Sequence, residues 1–188
     1  MKIVIITQNE PFYLAKNIEY LLSILPRKYE VVAAVISNPS PFGKKESFIK
    51  KAKRTFDIFG VNFFLFYSIK YILYYFDSTK NVKKVLLKNN VTEIELSKSI
   101  NHISSIKIIE SFKPDLLVSI QGNEIFKTPI IKLAKKGCIN LHTALLPKYR
   151  GLMPTFWALK NNEKYTGVSV FFVDEGIDSG PIICLLYT

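Results

Sequence analysis

The chain has 188 residues, 48% of them hydrophobic, with 14 Phe and 10 Tyr. That length admits one domain with a full core, and that apolar content excludes a disordered chain. Its 26 Lys and Arg against 15 Asp and Glu leave a net charge of +11, which suits a polyanionic partner, whether a nucleotide-linked substrate, an anionic membrane surface or RNA, without choosing among them.

Lys2 to Thr7 is a β-branched run of the kind buried on both faces of a parallel sheet. Its apolar stretch is too short for a signal peptide. Gln8, Asn9, Glu10 and Pro11 form a turn, Pro11 opens a helix predicted from about Phe12 to Leu25, and Pro26 stops it. Glu30 to Ser37 is the second strand. Strand, helix, strand is the opening unit of an α/β fold with a mostly parallel twisted sheet and helices on both faces. The first strand-to-helix turn lacks the glycines that would let backbone N–H groups cradle a phosphate. Gln8 and Asn9, with Glu10, remain candidates for holding a polar acceptor substrate, because loops beyond the carboxyl ends of parallel strands line the usual cleft. A plain surface turn is the competing reading.

Residues 39–77 read as a helical insertion. Pro39, Pro41 and Gly43 break the chain, then Lys44, Lys45, Lys50, Lys51, Lys53 and Arg54 interleave with Phe48, Ile49, Phe56, Ile58 and Phe59. The aromatic run from Val61 to Phe76 follows, and it is shorter than the roughly 20 largely apolar residues a membrane span needs. A basic helix before an aromatic one fits an interfacial anchor, a peripheral membrane contact through 44–76 on the inner leaflet. It equally fits a hairpin that packs on its own domain or on a second subunit as a homodimer.

Farther on, Asn81 to Asn90 is a short basic helix and Thr92 to Leu96 a brief strand. Asn101 to Phe112 is a helix with Ile103, Ile106, Ile109 and Phe112 on one face, and His102 faces solvent at its start. Leu116 to Ile120 is a strand, Ile130 to Lys136 a helix stopped by Gly137, Cys138 to Leu141 a strand, Pro154 to Leu159 a helix carrying Trp157, and Gly167 to Val173 a strand. Cys138 and Cys184 fall in predicted strands with no metal-ligand or redox spacing, so a reduced, cytoplasmic, metal-free protein is the simplest expectation.

The chemistry concentrates late. Asn140 and His142 stand two apart at the end of a strand, a spacing that points both side chains to one face. Thirty-six residues later Asp178 lies between Gly176 and Gly180, whose freedom permits a tight loop that aims a carboxylate at a site built elsewhere. An amide and an imidazole can stabilise an oxyanion, while a carboxylate orients the imidazole or carries a proton from an attacking amine. That is acyl transfer without a covalent intermediate.

At these residues the chain resembles the formyltransferase family that uses 10-formyltetrahydrofolate. Asn140-Leu141-His142, Leu145-Leu146-Pro147, Arg150-Gly151 and Asp174 to Gly180 match its motif in order and spacing over about residues 113–183, with Ala144 where the family often has Ser. The resemblance implies a Rossmann-like catalytic domain spanning 1–188, C-terminally truncated or minimal, since family domains usually continue for another strand and helix. It implies Asn140, His142 and Asp178 as catalytic residues. It also implies folate contacts from Gly122, Ile125 and Phe126 in the loop after the fourth strand, from Leu145, and from Val173, Asp174 and Gly176 in the returning loop. Gln8, Asn9 and Arg150 are assigned to the acceptor, and no metal is implied. The acceptor ranked first is a nucleotide-linked amino sugar of surface-glycan (polysaccharide) biosynthesis. A methionyl-tRNA formyltransferase-like N-terminal domain and a catalytically silent folate- or partner-binding fragment are the alternatives. No nucleic-acid recognition motif is visible, which argues against a dedicated RNA-binding module.

Overall fold

The computed structural model describes residues 1–10, 12–37, 47–77 and 80–187. Pro11, Pro39, Pro41, Gly43, Lys44 and Lys45, to which the sequence assigns turns and the start of the insertion, lie outside them. In chain order the elements are β1 (Lys2–Gln8), α1 (Leu14–Ile24), β2 (Glu30–Ser37), α2 (Phe48–Phe76), α3 (Val82–Lys88), β3 (Thr92–Ile94), α4 (Ile103–Ser111), β4 (Leu116–Ile120), α5 (Thr128–Ile131), β5 (Cys138–His142), α6 (Pro154–Lys160), β6 (Gly167–Phe172) and β7 (Ile182–Tyr187).

One seven-stranded sheet runs in the order β3-β2-β1-β4-β5-β6-β7. The pairs from β3 to β5 are parallel, whereas β6 runs antiparallel to β5 and β7 antiparallel to β6. This confirms the α/β, mostly parallel architecture. Val4, Ile6, Ala33, Val35, Leu117 and Cys138 face Ile106 and Ile109 of α4 and Ile130 of α5. Ile3, Ile5 and Ala34 face Leu14 and Ile18 of α1 and Val85 and Leu86 of α3 on the opposite side. Strands buried on both faces account for the unbroken β-branched runs of β1 and β2.

Three local expectations are corrected. The helix predicted over 130–136 is the single turn Thr128–Ile131, because Lys132 leaves helical geometry and the chain then turns, Gly137 N–H bonding the Ala134 carbonyl. Ile103 is exposed while Ile106 and Ile109 are buried, so the apolar face of α4 begins one turn later than its spacing suggests. His102 is half-buried and caps α4, its Nδ1 accepting from Ser104 N–H at 3.2 Å. The start of α1 is satisfied by Glu10, whose carboxylate accepts from the N–H groups of Phe12, Tyr13 and Leu14.

Helix α2 is broken at Gly60, where φ 76° and ψ 177° leave helical space. Phe48 meets Tyr71 with ring centroids 6.1 Å apart and Phe56 meets Phe64 edge-on at 5.6 Å. Those pairs are symmetric about position 60, so the insertion is an antiparallel hairpin. Its second half rests on the turn after β1, with Phe12 centroids 4.7 Å from Tyr67 and 5.5 Å from Tyr74, and Lys70 donating to the Tyr13 hydroxyl at 3.1 Å.

Candidate active site

Strand register builds the site. Ser119 of β4 pairs with Asn140 of β5, and Asn140 pairs with Phe171 of β6. One pleat farther, His142 pairs with Ser169. Side-chain alternation puts Asn140 and His142 on the sheet face that carries Cys138 and the α4 layer. Along the same carboxyl edge, Gln8 of β1 donates its amide to Gln121, just beyond β4, at 3.1 Å. Polar groups therefore line the end of three adjacent parallel strands on one face.

His142 is buried, at 6% exposure. Its Nε2 donates to the Tyr149 carbonyl at 2.8 Å, and its Nδ1 stands 3.4 Å from Asp178 Oδ2. The same Oδ2 accepts the Gly151 N–H at 2.8 Å. Asp178 thus reaches back across the molecule to close on the imidazole, as the spacing of the motif requires. It does so from a left-handed backbone, φ 47°, that a short polar residue tolerates. Both ring nitrogens face oxygen atoms, so the imidazole is held from both edges. The Asn140 carboxamide has no hydrogen-bond partner among the described residues, leaving its donors available to a bound group.

Several supporting residues have no signature in the sequence. Ser169 is fully buried; its hydroxyl donates to the Ala144 carbonyl at 2.6 Å and accepts the Leu146 N–H at 2.9 Å, fixing the turn that follows His142. Tyr149, at φ 56°, is secured through its hydroxyl, which donates to Glu163 at 2.7 Å. Glu163 also takes Lys148 at 3.0 Å. The Tyr149 hydroxyl and then Lys148 hold the Glu163 carboxyl below its ordinary value, and Glu163 in turn raises both partners. Asp174 organises the returning loop from within, its Oδ1 accepting from Gly176 N–H at 3.0 Å and Ser179 hydroxyl at 2.8 Å. Gly180 has room for no side chain, since a Cβ would collide with the Phe172 carbonyl oxygen.

Comparison with known proteins follows the same residues. The family model described as formyl transferase matches residues 72–187. The chain belongs to the formyl transferase family. It is 47% identical over 78 residues to a methionyl-tRNA formyltransferase of Thermodesulfovibrio yellowstonii, an alignment covering 42% of this chain and 25% of that protein. Its fold superposes on phosphoribosylglycinamide formyltransferase from Bacillus halodurans with TM-score 0.66 at 20% identity, covering 99% of this chain and 79% of the other. A sugar N-formyltransferase from a Shewanella species gives TM-score 0.57 at 19% identity, covering 100% and 57%. Against its curated relatives the chain spans about a quarter to a third of their length.

The remaining candidate residues of this formyltransferase-family chain lie in three places. Gly122, Ile125 and Phe126 form the loop beyond β4: Ile125 is exposed, Phe126 is buried in the α4-side core, and Gly122 abuts the Ser119 hydroxyl. That loop is pinned by Glu124, which accepts from Ser99 at 2.5 Å and from Ile100 N–H. Val173 bonds the Cys138 carbonyl through its N–H at 2.8 Å, and with Asp174 and Gly176 it belongs to the loop that delivers Asp178. Leu145 sits apart from these, lining a cavity of about 340 Å³ with Pro147, Tyr149, Tyr165 and Tyr187. Asn9 and Phe126 share a second cavity of about 520 Å³ with Ser37, Tyr71, Lys83 and Lys98 at the ends of β1 to β3. Arg150 is exposed beside Gly151, its guanidinium without a partner among the described residues. Among these residues no cluster of His, Cys, Asp and Glu could hold a metal ion.

Proposed function

We propose that this chain transfers a formyl group from 10-formyltetrahydrofolate to a primary amine, the acceptor being a nucleotide-linked amino sugar. One observation carries the reading: the closure of Asp178 on a buried His142, on the strand face that also presents Asn140. The folate would supply an activated formyl carbon, held between the loop 122–126 and the loop 173–178. The residues present suit it: the Asn140 carboxamide is unpartnered among the described residues, the imidazole on the same strand face is fixed, and Ile125 is exposed for apolar contact. Asn140 offers N–H donors to the oxygen of the reacting carbonyl. The Tyr149 carbonyl fixes the His142 ring through Nε2, so that its Nδ1 edge is held toward Asp178. As the amine nitrogen bonds to the formyl carbon, Asp178 would take the proton the amine releases and pass it to the folate nitrogen, whose bond to the formyl carbon breaks. Gln8, Asn9 and Arg150 flank the acceptor side. The exposed apolar hairpin suits an enzyme working beside a membrane-bound glycan pathway.

A second reading, methionyl-tRNA as acceptor, is favoured by the 47% identical relative and by the charge of +11. Incubating the protein and 10-formyltetrahydrofolate with amino-sugar nucleotides in one arm and methionyl-tRNA in the other separates the two by mass spectrometry. Asn140→Ala, His142→Ala and Asp178→Ala are each expected to lose about 100- to 1000-fold in single-turnover transfer with unchanged far-UV circular dichroism. Near-normal turnover in any of them refutes the assignment, and formylated methionyl-tRNA without a formylated sugar moves the acceptor to the second reading.

A further inference from the structure

The hairpin α2 has no buried residue. Its second half, 61–76, turns Phe64, Tyr67, Tyr71 and Tyr74 toward Phe12, Phe48 and Phe56. The opposite side presents Leu65, Phe66, Ile69, Ile72, Leu73 and Phe76, which recur at helical spacing and are each more than half exposed. No charged residue is a member of that stripe. Lys70, the one cation in this half, lies among the Phe12, Tyr13 and Tyr74 rings and at the stripe's Phe66 edge, 5.2 to 6.0 Å from their centroids. An exposed stripe of six large apolar side chains marks an interaction surface.

Charge identifies the occupant. The first half carries Lys50, Lys51, Lys53 and Arg54 against Asp57 alone, and Lys50 and Lys53 are exposed. We propose that the hairpin docks the protein peripherally on an anionic bilayer, with the stripe from Leu65 to Phe76 in the acyl boundary and the lysines of the first half among the headgroups. Apolar residues beside a basic cluster are what such an interface takes. A second copy of this chain would bring a second basic half of the same sign to the interface, whereas an anionic surface complements the charge. The fold at Gly60 leaves 61–76 rising about 24 Å, short of the roughly 30 Å hydrocarbon core, so the hairpin lies in the interface and does not cross it. Phe12 and Tyr13 tie it to the turn after β1, only a few residues from Gln8 and Asn9, so the anchor is fixed to the edge of the cleft.

Flotation of the full chain with phosphatidylcholine vesicles, with and without phosphatidylglycerol, tests this independently of any formyl transfer. Co-flotation with the anionic vesicles at low salt, weakening as salt rises, is expected. Ile69→Asn with Leu73→Asn and, separately, Lys50→Glu with Lys53→Glu should each lower partitioning about tenfold or more with unchanged circular dichroism. No co-flotation at low salt overturns the proposal. So does flotation indifferent to both pairs of changes, or a dimer in light scattering that Ile69→Asn with Leu73→Asn dissolves while flotation stays absent.

Discussion

Tyr149 holds His142 with its backbone carbonyl, while its side chain, bonded to Glu163, decides where that carbonyl stands. A non-glycine residue at φ 56° persists only where neighbours over-determine it, at a cost of about 1–3 kcal/mol. Here the neighbour is Glu163, which accepts from the Tyr149 hydroxyl and from Lys148. Its carboxyl is depressed by those bonds, so the stability it contributes is fully present above its ordinary value of 4.5 and is lost as the pH falls through the lower folded value. Thermal melts from pH 6 to pH 3 should show this acid-side loss in the wild-type chain and a flatter profile in Glu163→Gln. Superimposable profiles would mean that Glu163 does not secure the loop. Asn140, His142 and Asp178 were legible in the sequence because a period of two and a pair of flanking glycines are local patterns. Glu163, Ser169 and Gln121 were not, because each acts through a partner brought close only by strand pairing or by a turn closing over 14 or more residues.

Among the elements, the hairpin depends most on one residue. The composition of 44–76 announces a basic and an aromatic helix, but nothing in the spacing fixes how they meet; the hinge becomes visible only with the backbone of Gly60. At φ 76° and ψ 177° that backbone lies in a region reached essentially by glycine alone, and its Cβ position is open space, so strain and not crowding opposes a side chain there. Gly60→Ala should cost the hairpin about 1–3 kcal/mol and favour one continuous helix. A straight helix sets positions 48 and 71 about 35 Å apart, against ring contact in the folded hairpin. Spin labels at exposed Ile49 and Ile72 would report the change as a shift from a short to a long distance. An unchanged short distance would show that the Phe48–Tyr71 and Phe56–Phe64 contacts hold the hairpin without help from the hinge. The shortened α5 and the exposed Ile103 teach the same lesson in reverse: apolar spacing marks a face, while caps and turns made in three dimensions decide where the helix runs.

Taken whole, the molecule is a parallel sheet covered on both sides through β5, then an antiparallel pair that ends in the edge strand β7. The parallel part was readable because burial on both faces forces uninterrupted β-branched runs. The antiparallel turn of β6 was not, because direction leaves no mark on strand composition. The two cysteines sample both regimes. Cys138 is 1% exposed at the junction of β4, β5 and the α4 layer, and burial pushes its thiol up to about 12, while Cys184 is exposed on β7. The thiolate is the reactive form. A thiol reagent at pH 8 should therefore modify Cys184 promptly and Cys138 only when the chain unfolds, as peptide mass spectrometry after timed quenching would show. The same burial sets a pH dependence. The folded state keeps Cys138 protonated above the ordinary value of 9.0, where the unfolded chain releases the proton, so the stability tied to this thiol is complete below 9.0 and declines as pH rises through the window up to about 12. The urea midpoint should drop more between pH 8 and pH 10.5 in the wild-type chain than in Cys138→Ala, each chain referred to its own midpoint at pH 8. Rapid native labelling of Cys138, or equal drops in the two chains, would place this residue outside the core that holds β5, and with it the footing of Asn140 and His142.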